Sequence, residues 1–599
     1  MYCTTPSRLP LLLLLAAAST LQAFAGQNAQ QNAPADARQT ASQSSPQTAS
    51  SVPLNASAAN TLNSSPAAPA EAHGRLVLVL PFNNHSAAPN LDWIGESFPE
   101  VLNQRLTAAG FLPISRTDRL YALDHLGLPL DFQPSHASTL RIAQMLDADY
   151  VVVGSYEADP KHLKATARVL DVAALTLGPP IEEQADLPRL LNLDNSLAWR
   201  VAKALDPSYP VAEQTFVAAD ANLGIDAFEH YIRGLVESSP QERTRHLLEA
   251  VRLDPGFPLA WYALGRTYYS DQQYELAANA LGHLPKDDPN ALAADFYRGL
   301  AYFNSGEYLK AEDAFAFVTT RQPLPEVVNN EAVAASRRGK DATPLFEQSV
   351  AADPKDPDYH FNLAISLRTR NDVQGAIREI DLALKLRPDD SEAQAFQAAL
   401  RSPQAPQPKT SPETRAATAA GTNASSAAPK STNAFVPGSG PGAPVERIKR
   451  TYNEASFRQA AFALDQMQAM RLASLTAAER AAALNKDGVQ LLNRGLMLEA
   501  ERQFLSALEA DPSSADAHAG LAQVREHTGD LDAARAEAVK SLSLHQNATA
   551  HLLLARLDMQ ANQLPVAAGE VRQALNLDPT NSAARGMQQA LQARGQQVP

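Results

Sequence analysis

Prolines return at a nearly constant spacing through the middle of this 599-residue chain. Pro255, Pro289, Pro323, Pro354 and Pro388 are separated by 34, 34, 31 and 34 residues. Near the C-terminus, Pro512 and Pro579 are separated by two steps of nearly the same length. A period of this length predicts a repeated helix pair. One helix pair cannot bury its apolar face alone, so neighbouring pairs must stack into a solenoid.

Small and aromatic residues recur at fixed places within each period. Gly or Ala at the eighth place lets the two helices of a pair approach closely, Ala at the twentieth lies where they cross, and proline ends the second helix. In residues 258–291, 292–325 and 357–390 these places and their neighbours hold Trp261, Leu264, Gly265, Tyr268, Ala277, Pro289; Gly299, Tyr302, Tyr308, Ala311, Phe315, Pro323; and Leu363, Ala364, Ala376, Ala383, Pro388. The repeat at 326–356 is three residues short, and we expect the deletion in its inter-helix turn near Gly339.

These residues resemble the tetratricopeptide repeat (TPR) signature, which implies all-α solenoid arrays that bind protein or peptide ligands in a concave groove. We assign a first array to residues 222–400 and a second to 445–597. Helical spacing resumes at Val445, and the repeats of the second array carry Gly488, Leu491, Gly495, Ala500, Phe504, Ala507, Pro512; Leu521, Ala522, Gly529, Ala534; and Leu554, Ala555, Ala567, Ala574, Pro579.

Residues 73–206 have a different character. Short apolar runs alternate with helical spacing, in the order strand, helix, strand, helix, strand, strand, helix, which predicts a compact α/β domain. The runs Val-Leu-Pro-Phe-Asn-Asn, Leu-Asp-Trp-Ile-Gly-Glu-Ser, Ala-Asp-Tyr-Val-Val-Val-Gly-Ser-Tyr and Ala-Arg-Val-Leu-Asp resemble the TolB N-terminal-like domain. That resemblance implies a bacterial protein with an interaction or sensing role and no fixed reaction.

Three segments are predicted to lie outside the folded domains. Residues 1–25 are predicted to form a signal peptide, with Arg8 before a short apolar run and Ala23-Phe24-Ala25 as the cleavage site before Gly26. An uncleaved anchor is the alternative. Residues 26–72 form a low-complexity tether and residues 401–444 a Pro/Ser/Ala linker, because neither has the large apolar side chains that offset the entropy of ordering. The mature protein is therefore expected to be periplasmic or secreted, without a transmembrane segment.

Composition argues against several functions. The net charge of −14 disfavours nucleic-acid partners, which require a basic face. Cys3 is the only cysteine, so one chain has no disulfide framework or cysteine metal site. The sequence contains no P-loop, Gly-x-Ser-x-Gly or His-Glu-x-x-His motif, and we predict no catalytic residue, cofactor or metal. The densest histidines, His518, His527, His545 and His551, are not spaced to share one helical face and are interpreted as ordinary surface or packing residues rather than metal ligands.

The concave face of the first array is the one candidate site. In this fold, places 2, 5, 9, 12 and 13 of each repeat turn inward. In the first two clear repeats they supply the predicted peptide-binding residues, which are Tyr262, Arg266, Tyr269, Phe296, Leu300 and Phe303. Aromatic anchors around one arginine suit an apolar peptide with a carboxylate. The alternative is that the aromatics fill the superhelix interior or pack on a neighbouring domain. The Lys/Asn set with which TPR domains clamp a C-terminal carboxylate is incomplete.

The corresponding surface of the second array is more polar, with residues such as Asn485, Glu526 and Arg556, and either binds something different or binds nothing. Together these patterns predict an exported, non-enzymatic interaction scaffold of unknown oligomeric state. The first alternative is a ligand-sensing module, in which the α/β domain binds a small molecule or glycan and the arrays relay that event. The second is an enzyme whose site is assembled between domains.

Overall fold

The computed structural model describes residues 76–86, 90–129, 135–159, 161–218, 223–402, 444–451 and 467–598. The predicted signal peptide and tether, and nearly all of the predicted 401–444 linker, lie outside the described residues. Within the described residues, no helix is both long and apolar enough to cross a membrane.

A seven-stranded sheet forms the centre of the N-terminal domain. The strands lie in the order β3-β1-β4-β5-β6, with β2 added beside β4 and β7 beside β5. β1 is parallel to β3 and β4, while β4, β5 and β7 are antiparallel, with Val152 opposite Val169. The strands are β1 Leu76–Val79, β2 Asn83–Asn84, β3 Leu112–Pro113, β4 Tyr150–Ala158, β5 His162–Asp171, β6 Thr176–Leu177 and β7 Ile181–Asp186.

Helices cover both faces of this sheet. Because side chains alternate along a strand, Val77 and Val79 of β1 join the core under α1 and α4, whereas Leu78 and Leu80 join the core under α2 and α3. The helices are α1 Ile94–Ala108, α2 Arg116–His125, α3 His136–Met145 and α4 Leu190–Leu205. The sequence pattern missed α2, β7 and the two-residue strands β2 and β6. Only two apolar side chains of α2, Ala122 and Leu123, are buried, so its periodicity is weak.

A short helix, α5 Glu213–Val217, follows the α/β domain. The helices described after it pack as antiparallel pairs in two arrays. The first array consists of α6 Ile225–Val236, α7 Pro240–Leu253, α8 Pro258–Ser270, α9 Tyr274–Leu281, α10 Ala291–Asn304, α11 Tyr308–Thr319, α12 Pro325–Arg337, α13 Thr343–Ala352, α14 Pro357–Thr369, α15 Val373–Leu386 and α16 Ser391–Arg401. The second consists of α17 Ala477–Asn493, α18 Met497–Ala510, α19 Ala515–His527, α20 Leu531–Leu544, α21 Ala548–Gln560, α22 Leu564–Leu577 and α23 Ser582–Ala593.

The glycines at the eighth place have the close-packing role that the repeat pattern predicts. A Cβ atom built on Gly299 would lie 2.7 Å from the Phe315 ring, and one built on Gly488 would lie 2.7 Å from the Phe504 ring. Both rings are fully buried. Any side chain at either glycine would therefore push the paired helices apart.

The shortened repeat differs from the expectation. Its inter-helix turn, residues 338–342, is longer than the three-residue turn 305–307 of the preceding repeat. The missing length is in the second helix, because α13 has 10 residues and α15 of the next repeat has 14. The deletion therefore shortens a helix on the outer side of the array and leaves α12, on the inner side, with its full 13 residues.

The second array packs against the α/β domain through α18. Leu498 belongs to the same buried cluster as Val211 and Phe216. The fully buried Glu501 pairs with Arg525 at 2.6 Å and accepts a hydrogen bond from the Ala212 N–H at 3.0 Å. Burial raises the pKa of Glu501, and the charge of Arg525 opposes that effect. This carboxylate therefore fixes α18 beside α5.

Candidate peptide-binding groove

Residues 444–450, which we call the groove segment, lie against the inner helices of the first array. They form neither helix nor strand, although the sequence pattern placed the start of the second array at Val445. Their hydrogen bonds include those with α12, α14 and the N-terminal end of α16, more than fifty residues earlier in the chain. The structure therefore shows an inner surface of the array holding a non-helical piece of polypeptide.

Two asparagine side chains bind the main chain of the groove segment. Asn362 accepts a hydrogen bond from the Arg447 N–H at 2.7 Å and donates one to the Arg447 carbonyl at 2.8 Å. Asn330 makes the same pair of bonds with Lys449, both at 2.7 Å. Each amide thus satisfies one residue's donor and acceptor, and alternate residues are bound, as by a neighbouring β-strand.

A third asparagine holds this arrangement in place. Asn329 donates to the Arg447 carbonyl at 3.0 Å, and its own side-chain oxygen accepts from Asn362 at 2.8 Å. Asn329, Asn330 and Asn362 are all fully buried. Because the groove segment excludes water from these amides, its main chain supplies the hydrogen-bond partners that they need once they are buried.

The basic side chains of the groove segment meet a cluster of carboxylates. The Arg447 guanidinium lies 2.6 Å from Asp390, 2.9 Å from Asp358 and 3.0 Å from Glu392. Lys449 lies 2.7 Å from both Asp356 and Asp358. We call Asp356, Asp358, Asp390 and Glu392 the acidic cluster. Arg447 binds Asp390 with two nitrogens, the geometry that makes guanidinium–carboxylate pairs strong and directional.

The ionisation of the acidic cluster follows from these contacts. Burial disfavours the charged form of Asp358, but hydrogen bonds and charges from Lys449, Arg447 and Arg387 outweigh it and lower its pKa to about 2. The hydrogen bond from Arg447 likewise lowers the pKa of Asp390. Both carboxylates are therefore charged at neutral pH and attract a cation.

Rings and a second charge pair complete the site. The Arg447 guanidinium stacks 3.8 Å from the centre of the Phe361 ring, a cation–π contact, and the Lys449 ammonium lies 5.1 Å from the centre of the Tyr359 ring. On the other side of the segment, Glu446 accepts a hydrogen bond from Ser336 at 2.6 Å and pairs with Arg337 at 3.1 Å. The contacts thus distinguish an acidic position from the basic positions one and three residues later.

The six residues predicted from the sequence lie beside this site. Ile448 packs against the apolar cluster that contains Phe296 and Leu300, both buried, and that Tyr262, Tyr269 and Phe303 border. The Arg266 guanidinium lies 3.8 Å from the centre of the Tyr297 ring and donates to the Tyr262 hydroxyl at 3.1 Å. No contact tests the role proposed for these six residues, which remains a prediction.

Sequence reasoning missed the asparagines and the acidic cluster. The peptide-binding residues of the first array were predicted from the inward-facing places of the two repeats before residue 326, and not from those of the next two repeats. In those repeats the same places hold Asn330, Arg337, Asp358 and Phe361, which all contact the groove segment. Asn329 and Asn362 lie at neighbouring places, and the rule does not identify them.

Inner charges of the second array pair with each other. Arg556 on α21 donates to Glu526 on α19 at 2.7 Å, and Arg535 on α20 pairs with Asp558 at 2.7 Å. His518 and His551 each bond a glutamate 19 residues later, Glu537 and Glu570, both at 2.6 Å, as His360 bonds Glu379 in the first array at 2.7 Å. Among the described residues, no group of three or more His, Cys, Asp or Glu side chains is placed to hold a metal ion.

An open cavity of about 1070 Å³ lies at the edge of the α/β domain. Charged and polar side chains line it, including His85, Asp159, His162, Lys164 and Arg189. Several of them already have partners: Asp159 accepts from the Lys161 and His162 N–H groups, and Lys164 lies 3.2 Å from Glu182. The cavity is the one feature described for this domain that fits the ligand-sensing alternative.

Comparisons with known proteins find relatives that contain TPR repeats. Among curated proteins, the chain is similar to the TPR repeat-containing protein YpiA of Bacillus subtilis (strain 168), with 26% identity over 164 residues, which are 26% of this chain and 38% of that protein. This chain therefore spans well under half of that relative's length.

Three solved structures are each similar to a part of this chain. YrrB, described as a TPR protein with an unusual peptide-binding site, has 16% identity and a TM-score of 0.27, covering 29% of this chain and 92% of that one. MamA from Desulfovibrio magneticus RS-1 has 22% identity and a TM-score of 0.26, covering 28% and 99%. The LpoB C-terminal domain from Escherichia coli has 19% identity and a TM-score of 0.17, covering 19% and 82%.

Family models give the most direct identification. Models described as tetratricopeptide repeat match residues 262–317, 334–400 and 488–543. The first two matches lie in the first array and the third in the second array. Both helical arrays of this chain therefore contain tetratricopeptide repeats.

Proposed function

We propose that this chain is an exported, non-enzymatic scaffold that binds extended peptide segments of partner proteins in the groove of its first array. The observation that carries this proposal is the pairing of Asn330 and Asn362 with both main-chain groups of alternate residues. Main-chain hydrogen bonds are available in any extended peptide and supply affinity, while surrounding side chains supply specificity.

A synthetic peptide of residues 444–451 tests peptide binding. Its receptor is the full chain with Arg447→Glu and Lys449→Glu, the released variant, in which like charges expel the segment from the acidic cluster. We expect this variant to bind the labelled peptide in fluorescence anisotropy. Adding Asn330→Ala and Asn362→Ala should weaken binding by about thirtyfold or more, since four hydrogen bonds of about 0.5–1.5 kcal/mol each are lost.

Asn485→Ala in the same released variant is the matched control. Asn485 occupies the same place in its repeat of the second array as Asn330 does in the first, so it should leave peptide affinity unchanged. Equal affinity of the two asparagine-to-alanine receptors would contradict a groove that binds through Asn330 and Asn362.

Export rests on residues 1–25 and is a separate part of the proposal. Arg8, the short apolar run and Ala23-Phe24-Ala25 support cleavage by signal peptidase and a periplasmic or secreted protein. Sequencing the N-terminus of protein purified from its native source should give Gly26 first. An intact Met1 on membrane-bound protein would exclude cleavage.

A ligand-sensing role of the α/β domain is the second candidate, favoured by the cavity beside β5. If small polar molecules bind there, sugars or nucleotides should raise the melting temperature of the chain, and Lys164→Ala with Arg189→Ala should abolish that rise. An unchanged melting temperature across such a panel would leave the scaffold role alone.

A further inference from the structure

The acidic cluster pairs with two cations from outside the first array. Its four carboxylates contact Arg447 and Lys449 of the groove segment. Within the array, Arg387 lies 2.8 Å from Asp358 and 3.6 Å from Asp390, and His360 interacts electrostatically with Asp356. Removing the groove segment therefore takes two cations away from these four carboxylates, which increases the repulsion among them.

The spacing of the two cations matches the spacing of the main-chain contacts. Arg447 and Lys449 are the residues whose main-chain groups pair with Asn362 and Asn330, and their side chains both reach Asp358. Ile448, between them, packs against the apolar cluster to which α9, α10, α11 and α12 contribute. A ligand that fills the groove equally well is an extended segment with Arg, an apolar residue and Lys in succession.

We propose that residues 444–450 are an intramolecular competitor, which occupies the groove until a partner segment with the same basic–apolar–basic pattern displaces it. This inference rests on the proposed function, because it requires a groove that binds peptides. It adds the chemistry of the partner, a basic extended segment, and the means by which access is limited.

The strength of this competition can be bounded. A ligand carried on the same chain acts at an effective concentration on the order of millimolar. A partner peptide must therefore bind several-fold more tightly, or be presented at several sites at once, before it replaces the groove segment. The released variant lacks this competitor and should bind the probe peptide at least about tenfold more tightly than the wild-type chain does.

The experiment compares three full-length proteins with labelled peptide 444–451. They are the wild type, the released variant, and a control with Lys540→Glu and Arg572→Glu, which changes the net charge equally on exposed residues of the second array. We expect the control to bind as weakly as the wild type. A second peptide with glutamate at the positions of Arg447 and Lys449 should bind the released variant at least about a hundredfold more weakly than the first.

Each outcome has one meaning. If the released variant binds neither peptide, the proposed function and this inference both fail. If it binds both peptides equally, the groove binds peptides but does not select basic ones, and the inference fails alone. Equal affinity of the wild type and the released variant for the first peptide overturns the competition.

Two further measurements serve as controls for folding and for oligomeric state. Circular dichroism melting checks that the released variant folds, and a milder replacement of Glu446, Arg447 and Lys449 by alanine serves if it does not. Light scattering of the wild type should give a monomer mass. A dimer that the released variant does not form would mean that the segment fills the groove of a second copy, which overturns the intramolecular form of the proposal.

Discussion

The two arrays have the same internal packing and opposite inner surfaces. Gly299 against Phe315 in the first array and Gly488 against Phe504 in the second make the same close contact between paired helices. On the inner face, the first array presents buried asparagines and carboxylates that are satisfied by residues 444–450. The comparison teaches that packing positions determine the solenoid, whereas the side chains at and beside the inward places determine what its inner surface can bind.

Among its described residues, the second array pairs inner charges with each other. Arg556 and Glu526 both lie at inward places and pair with each other across two repeats. Its contacts with the rest of the molecule include those of α18, where Glu501 bonds the Ala212 N–H and Arg502 donates to the Ala108 carbonyl. The first array therefore has a surface suited to recognition, and the second has a surface suited to attachment.

The largest expected effect would test the shared packing. Phe315→Ala and Phe504→Ala each remove a fully buried ring, and each should lower the free energy of unfolding by about 3–5 kcal/mol, because a large cavity remains between paired helices. Urea denaturation followed by circular dichroism measures both. A cost below about 1 kcal/mol in either array would show that the two solenoids are not packed alike.

A smaller difference in folding stability is expected between the buried ion pair that attaches α18 and an ion pair on the inner surface of the second array. Arg525→Ala leaves the buried Glu501 without its cation and should cost about 3 kcal/mol of folding stability. Arg556→Ala removes a partly exposed arginine from Glu526 and should cost about 1 kcal/mol or less. Denaturation of the two variants side by side checks the ranking, and equal costs would mean that Glu501 does not fix α18 to the α/β domain.

The His360–Glu379 pair of the first array should make folding stability depend on pH. The hydrogen bond that His360 donates to Glu379, together with the one to the carbonyl of Pro354, raises the pKa of His360 against the opposing effect of burial. A raised pKa in the folded state stabilises the protein below the unfolded value of about 6.5, and that stabilisation is lost as the pH rises through the folded value. His360→Gln should therefore reduce the stability difference between pH 5.5 and pH 8. An unchanged difference would mean that His360 is not charged in its pair.

The smallest expected effect is at Asn485. Its side-chain oxygen is buried without a hydrogen-bond partner among the described residues, so Asn485→Ala should change the free energy of unfolding by about 0.5 kcal/mol or less. Thermal denaturation measures this change. A cost like that of a satisfied buried amide would show that Asn485 has a ligand, and would remove the contrast with Asn330.

The sequence determined the helix pairs because their signals are local. The glycines, alanines and prolines of each period act on helices next to them in the chain, so the family matches fall within both predicted arrays. The α/β domain was predicted less completely, since α2 and β7 have few buried apolar residues. Its likeness to the TolB N-terminal-like domain stays a prediction.

The groove was harder to predict because it depends on distant contacts. Asn330 and Lys449 are 119 positions apart, and no local pattern indicates that they meet. The helical spacing that begins at Val445 predicts a helix there, yet the main chain of Arg447 and Lys449 bonds asparagine amides rather than its own carbonyls. The inward places of the repeats in residues 326–390 were the one sequence signal for this part of the groove, and Asp358 occupies one of them.

The asparagine contacts have a consequence for how such a protein changes over generations. Asn330 and Asn362 bind atoms that every peptide possesses, whereas Asp390 and Glu392 bind atoms that only cationic side chains possess. Substitutions at the carboxylates can therefore exchange one set of clients for another while the alignment of the bound chain is inherited unchanged. A lineage that keeps the amides and varies the charges acquires new partners without rebuilding its receptor.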